Sequence, residues 1–398
     1  MEKRLSLTRL ALENIRRKLF RTAALAVLTA LSAGMLFASF VLGSSLKSGI
    51  NGLKKRLGAD LMVVPQGYES QLESVLLSGE PSYFYMAKSV EEIIRNVPGV
   101  EQASGQFYLT SMSESCCDFP IQLIGFDPKT DFIVTPWAKN TNFLTQDNAE
   151  QLLAGCNITV NNKKTVTFFA KEHKITTKLA KSGSGMDNAI YGDLDTIQKI
   201  FTDAKSRGFG FISDGDTQTK TSAVFVKLKP GAKPDSTAVR IKTELPDVQI
   251  IRGGEFLSNL SDRINGFLIF PRIITILVLI ITVLTLGIVF SLIVNERQKE
   301  YSILCILGAD SSDLRALIFK EVFFIGLAGS LAGIFVSALA ILPFNIVISE
   351  KIALPFSLES PVIIILIAIS SAFIAVAASI LSAVYSTIKI SKKDVIFK

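Results

Sequence analysis

Four apolar stretches, one near the start and three crowded into the last third, limit what this chain can fold into. They are Ala23–Leu42, Phe267–Val294, Phe319–Ile348 and Pro361–Val384. Each meets or exceeds the roughly 20 residues that a helix needs to cross a hydrocarbon core about 30 Å thick. Backbone N–H and C=O groups find no water in that core, so such stretches cross it as helices. The interval between the first and second stretches reads as ordinary mixed α/β polypeptide. The predicted fold is therefore a membrane protein with four transmembrane α-helices, one and then three. A large extracytoplasmic α/β domain is inserted between helices 1 and 2.

Charge orients this arrangement. The net charge is +7, and its placement matters more than its size. Lys3, Arg4, Arg9, Arg16, Arg17, Lys18 and Arg21 precede the first span, Arg297, Lys299, Arg315 and Lys320 lie between the second and third, and Lys389, Lys392, Lys393 and Lys398 follow the fourth. The loop between spans three and four carries only Lys351 against Glu350 and Glu359. By the positive-inside rule both termini and the second-to-third loop face the cytoplasm, as expected of a multi-pass protein of the cytoplasmic (inner) membrane. The basic clusters flank membrane spans, which argues against a nucleic-acid partner. Ala23–Leu42 is longer than the 7–15 residues of a signal-peptide core, so it reads as a retained span.

These signals give a domain map. Residues 1–22 form a cytoplasmic amphipathic helix, with Leu5, Leu12, Ile15 and Leu19 near one face and suited to lie on lipid. Residues 23–45 are the first span, and 46–265 the external domain. Residues 266–294, 319–348 and 361–387 are the remaining spans. They are joined by a cytoplasmic loop at 295–318 and an external loop at 349–360, and 388–398 is a cytoplasmic tail.

Within the external domain, strands are expected at Leu61–Pro65, Val100–Ser113, Phe119–Phe126, Ala223–Lys229 and Val248–Arg252. Helices are expected at Ser89–Arg95, with Ser89 as N-cap, and at Asp235–Leu245. The texture changes over 136–215, which is rich in Asn, Thr and Lys and has strand-like runs at Ile158–Val160 and Val166–Phe169. This reads as an α/β core, 46–135 and 216–265, split by a mostly β insert that holds a flexible Ser182-Gly-Ser-Gly185.

Little points to catalysis. The chain has one histidine, His173, expected to be a solvated residue, and no nucleophile elbow or metal-type spacing. No phosphate loop is present either, because Ser182-Gly-Ser-Gly185 runs into Met186-Asp187 without a lysine. The chain is not read as an enzyme, and no cofactor is assigned to it. On the external side, Cys116 or Cys117 can pair with Cys156 as a disulfide, the three can stay as free thiols, or they can form a soft metal or haem-iron site with Met112. Gly326, Gly329 and Gly333 make a small-residue face on span three, open to packing inside one chain or to a dimer seam.

The most distinctive segment follows span two: Asn295-Glu-Arg-Gln-Lys-Glu-Tyr-Ser-Ile-Leu-Cys-Ile-Leu-Gly-Ala309. Charges come first, then apolar Ile303, Leu304, Ile306 and Leu307, then Gly308 as a helix stop. A second helix is expected to start from a Ser311 or Ser312 cap. A short helix in so tight a loop exposes apolar side chains suited to a partner's groove or to lipid. The segment resembles the coupling loop of the FtsX-like, MacB-type permeases of ABC transporters, of the form E-R-x-x-E-x-[AG]-x-L-x-x-L-G-A. Glu296, Arg297, Glu300, Leu304, Leu307, Gly308 and Ala309 occupy the matching positions. Tyr301 stands where a small or acidic neighbour is common. The resemblance extends to the order of spans and to an external domain like that family's porter-type core with a sabre-type insert.

The resemblance implies a dimeric permease, as a homodimer or with a related chain. A separate cytoplasmic ATPase, holding ATP and Mg, moves the coupling helix, and the second span carries that motion outward. Members export or extract substrates, or regulate an external hydrolase, with a lipoprotein or adaptor as further partners. Ile303, Leu304, Ile306 and Leu307 are expected to dock, with Arg297 and Glu300 setting register by charge complementarity. A membrane receptor is the reading from another class, but the tail lacks a signalling segment.

Overall fold

The computed structural model describes residues 7–111, 120–138, 151–209, 216–306, 310–351 and 356–392. Two helices open the chain, α1 (Leu7–Arg17) and α2 (Leu19–Leu57). Then come β1 (Leu61–Pro65), α3 (Glu69–Leu77), β2 (Met86–Ala87), α4 (Ser89–Asn96), β3 (Val100–Ser111), β4 (Ile121–Phe126) and α5 (Thr135–Ala138). The next stretch holds β5 (Leu152–Ala154), β6 (Thr165–Phe168), β7 (Lys171–Lys178), a 3₁₀ turn (Gly185–Asn188), β8 (Ala189–Asp193) and α6 (Leu194–Ser206). The α/β part closes with β9 (Lys220–Thr221), β10 (Ala223–Leu228), α7 (Pro234–Glu244) and β11 (Val248–Arg252). Four helices follow: α8 (Gly253–Glu296), α9 (Gln298–Ile306), α10 (Ser311–Lys351) and α11 (Pro361–Lys392). The chain divides into a helical unit (1–44, 265–345 and 359–398) and an α/β unit (45–264 and 346–358).

Four of the helices are long and apolar enough to cross a membrane, with apolar spans in Leu19–Leu57, Gly253–Glu296, Ser312–Ile341 and Pro361–Val384. Thus the α/β unit is inserted between the first and second membrane helices, as the sequence predicts.

The α/β unit is built on one nine-stranded sheet of order β11-β1-β10-β3-β4-β8-β5-β7-β6. Its ladders are antiparallel except at the β4–β8 and β5–β7 joins. β1 sits inside the sheet, with Met62 opposite both Ile251 and Phe225. Side chains alternate across a strand, and β1 shows what each face buries. Leu61 and Val63 pack with Val90, Ile94 and Ile241 of α4 and α7. Met62 and Val64 pack with Leu72, Val75 and Leu76 of α3. Both faces are covered, so β1 is one continuous apolar run, as buried strands are.

The described strands within 136–215 do not form a sheet of their own. Instead, β5 to β8 extend the sheet beyond β4, and α6 covers this end through Ile197, Ile200 and Phe201 against Phe107, Leu109 and Leu123. Asp193 caps α6 by accepting from the Thr196 N–H at 3.0 Å. Several local expectations shift. Ser89 is the first residue of α4 rather than its cap. Residues 158–160 form no strand, and Ile158 instead packs under α6.

The Ser182-Gly-Ser-Gly185 segment, expected to be flexible, is a buried anion nest. The Asp187 carboxylate accepts from the Ser182 N–H at 2.9 and 3.0 Å, the Gly183 N–H at 2.7 Å and the Ser182 hydroxyl at 2.8 Å. Arg56 adds an ion pair at 2.9 Å, with both side chains fully buried. Its guanidinium lies 5.5 Å from the Trp137 ring centre and 5.8 Å from that of Tyr191, within range of cation–π attraction. Gly183 has φ +74°, and a Cβ there would meet Ser357 Cβ at 2.6 Å, so glycine is required at this turn.

His173 is buried as well, and its ring stacks on Phe168 with centroids 4.0 Å apart. Burial foremost, then the cations of Lys171 and Arg207, lowers its pKa to about 4. The unfolded chain, at the ordinary value near 6.5, binds a proton that the folded chain refuses. Stability is therefore complete above pH 6.5 and falls as the pH drops toward 4, by at most about 1.4 kcal/mol per pH unit. Urea midpoints measured against pH should show this slope, and His173→Gln should remove it. An unchanged slope in that variant would assign the acid lability elsewhere.

Candidate coupling site

The loop after α8 turns on one buried arginine. The Arg297 N–H still bonds the Ile293 carbonyl at 3.1 Å, so the backbone keeps its helical turn while the side chain folds inward. Nη1 donates to both Glu321 carboxylate oxygens at 3.1 and 3.3 Å, and Nε donates to Glu300 at 2.7 Å. Asn14 Nδ2 of α1 donates to the same Glu321 carboxylate at 2.6 Å, and Lys320 Nζ donates to Thr8 Oγ1 at 3.1 Å. One polar cluster thus joins α1, α9 and α10. Burying a charge is costly unless it is paired and hydrogen-bonded, and the guanidinium fork meets that need with two carboxylates. The Arg297 hydrogen bond, with Lys18 and Arg21 adding their charge, holds the Glu300 carboxyl below the ordinary carboxylate range.

Sequence reasoning assigned Arg297 to a partner's surface. The structure turns it into the chain, because Glu321 waits one helix away in a position that water barely reaches. A signal was present: an acidic residue at the mouth of an apolar span asks for a cation. Asn14 gave no such signal.

The apolar side of α9 lies outward. Ile303 is 58% exposed and Ile306 71% exposed, and three residues apart they share one helical face. Glu296 and Glu300 are exposed beside them. Leu304 falls on α9, with its side chain outside the described set, and Leu307, Gly308 and Ala309 lie outside the described residues. α10 starts at Ser311, and Asp313 accepts from the Asp310 N–H at 3.3 Å while the Leu314 N–H bonds the Asp310 carbonyl. The cap is therefore Asp310, not a serine.

Behind the loop, a helical core forms from Leu25, Leu286, Phe290, Ile293, Leu314, Ile318, Val322 and Ala383. The span-three glycines are used inside the chain. A Cβ on Gly329 would strike Thr29 and Ala26, and one on Gly333 would strike Ala30. Gly326 faces Ser379 and Val376 of α11, and Ser337 Oγ donates to the Gly34 carbonyl at 3.0 Å. Small residues let these backbones approach where lipid gives no hydrophobic drive.

In the α/β unit, Cys156 is a free, half-buried thiol whose Sγ lies 3.4 Å from Asn157 Oδ1. Burial, with the Asp187 carboxylate adding, pushes its pKa up to about 11. Cys116, Cys117 and Met112 lie outside the described residues. Among the described residues no group of three or more His, Cys, Asp or Glu side chains is placed to hold a metal.

A multi-span membrane protein with an α/β unit after its first span, and a short outward-facing helix between its second and third, is the class these features define. Residues 272–395, which hold most of the last three membrane helices and their loops, match the model of the FtsX-like permease C-terminal family. No curated protein matches the chain. Among solved structures it is similar to the periplasmic region of MacB from Actinobacillus actinomycetemcomitans, at 9% identity and TM-score 0.33, covering 51% of this chain and 94% of that one. It is also similar to the extracellular domain of the noncanonic ABC-type transporter YknZ from Gram-positive bacteria. There the identity is 14% and the TM-score 0.29, covering 49% of this chain and 99% of that one. The likeness to FtsX-like permeases rests on the matched C-terminal segment.

Proposed function

We propose that this chain is the membrane subunit of a bacterial ABC-type transporter, moved by a separate cytoplasmic ATPase that docks on α9. ATP-driven movement of α9 serves export or extraction of a substrate handled by the α/β unit, which lies outside the cytoplasm. The chain works as a dimer of itself or with a related permease. The observation that carries this reading is the pair Ile303 and Ile306, exposed on a helix whose own base is held by buried Arg297. A helix that only rested in the chain would turn these side chains inward. Burying one such side chain in a groove contributes roughly 1.5–3 kcal/mol, so losing one should weaken docking about tenfold or more.

Membrane vesicles of both orientations test docking and topology together. Inside-out vesicles should bind an ABC-type ATPase of the same organism and stimulate its hydrolysis, whereas right-side-out vesicles should not. Ile306→Asp should abolish both effects while the chain still inserts. Normal binding and stimulation by Ile306→Asp would reduce α9 to an interfacial helix and sink the proposal.

A further inference from the structure

α1 has two unlike sides. Toward the helical unit it presents buried Ala11, partly buried Ile15, and Asn14 bonded to Glu321. Away from it stand Arg16 and Arg17, with Leu12 on the same helix and Leu19 and Phe20 just beyond its end exposed as well. Phe20 is 92% exposed. The expectation from sequence grouped Ile15 with Leu12 and Leu19, and the structure separates them: Ile15 serves the core, the other two face out.

We infer that this outward side of α1 is a docking surface for the anionic cytoplasmic face of the bilayer, and that lipid charge bound there orders α9 through Asn14, Glu321 and Arg297. Three arguments carry it. The first is charge complementarity: a polybasic cluster next to a membrane helix is drawn to anionic headgroups, by about tenfold or less per charge near the surface. The second is reach. α2 begins at Leu19 and enters the first span, so Leu19 and Phe20 stand at the depth where apolar side chains enter the headgroup boundary. The third is connection. Asn14 lies two residues before Arg16 on one short helix, and its amide is 2.6 Å from the carboxylate that Arg297 also grips. Arg297 in turn holds Glu300 of α9 at 2.7 Å. Ordering α1 on lipid therefore fixes the far end of the cluster that holds α9.

This inference rests on the cytoplasmic placement of α1 and α9 proposed above, but not on the ATPase. Amide hydrogen exchange of the full chain in nanodiscs tests it with no ATPase present. In discs containing phosphatidylglycerol, exchange in residues 298–306 should be slower by about tenfold than in purely zwitterionic discs. The double variant Arg16→Gln/Arg17→Gln should erase that difference. Asn14→Ala should keep the slowing in residues 8–17 yet lose it in 298–306, a separation that a merely structural loss would not produce. Equal exchange of 298–306 in the two lipids would overturn the inference. So would the same slowing produced by inorganic phosphate in zwitterionic discs, which would mark a small-anion site rather than a lipid surface. Failure of the vesicle-docking test leaves these outcomes readable, because no ATPase enters them.

Discussion

Asp187→Asn is expected to destabilise the α/β unit by about 3–5 kcal/mol, the cost of leaving a buried charge without its partner. Asp187 is the anion that Arg56 meets, and no solvent reaches either side chain. With the carboxylate gone, the guanidinium keeps one carbonyl, that of Ala180 at 3.4 Å, and the faces of two rings. The asparagine amide would also point a donor at the N–H groups of Ser182 and Gly183 that now converge on the carboxylate. Arg56→Met should cost less. In that variant Asp187 keeps both backbone donors and the Ser182 hydroxyl, and methionine fills much of the same space. Trp137 is the one tryptophan of the chain, and it packs against Arg56, so its emission follows unfolding at this spot. Urea titration of the full chain in detergent should place the Asp187→Asn midpoint well below that of Arg56→Met. The reverse order would mean that the arginine, not the nest, organises the loop.

The Arg56–Asp187 pair shows where sequence reading stops. Serines and glycines around 182–185 carry the composition of a flexible linker, and only the fold brings Arg56 across more than a hundred residues to meet Asp187. Local patterns fared better. Leu61–Pro65 and Val248–Arg252 came out with the expected bounds, since each is a short apolar run stopped by a turn residue or a helix start. The membrane helices were legible for the same reason, as hydropathy is a property of the segment itself. What a segment alone does not state is pairing. β8 lies parallel to β4 from far along the chain, and that join makes β5 to β8 part of the main sheet. The outward face of α9 was legible from Ile303 and Ile306 standing in a loop too short to cover them. The inward turn of Arg297 was not, because its partner Glu321 lies a helix away.

That inward turn leads to the second large effect. Arg297→Met is expected to leave docking of an ATPase nearly intact and to abolish its stimulation. The Arg297 side chain is buried whereas Ile303 and Ile306 are exposed, so a groove closing on those isoleucines loses no apolar contact. Within the chain the loss is severe. Glu321 stays buried with the Asn14 amide still donating to it, and removing one partner of a buried pair costs about 3–5 kcal/mol. α9 loses its tie to α10, so movement imposed on it would dissipate in the loop. Arg297→Lys should recover only part of the effect, since one ammonium does not span two carboxylates as the planar fork does. The measurement is paired: ATPase binding to vesicles carrying each variant, and ATP hydrolysis at saturating ATPase. Ile306→Asp should fail at binding, and Arg297→Met should bind but stay silent. If Arg297→Met also fails to bind while remaining folded, Arg297 faces the partner after all. In that case the cluster with Glu321 and Asn14 is not what holds α9 in place.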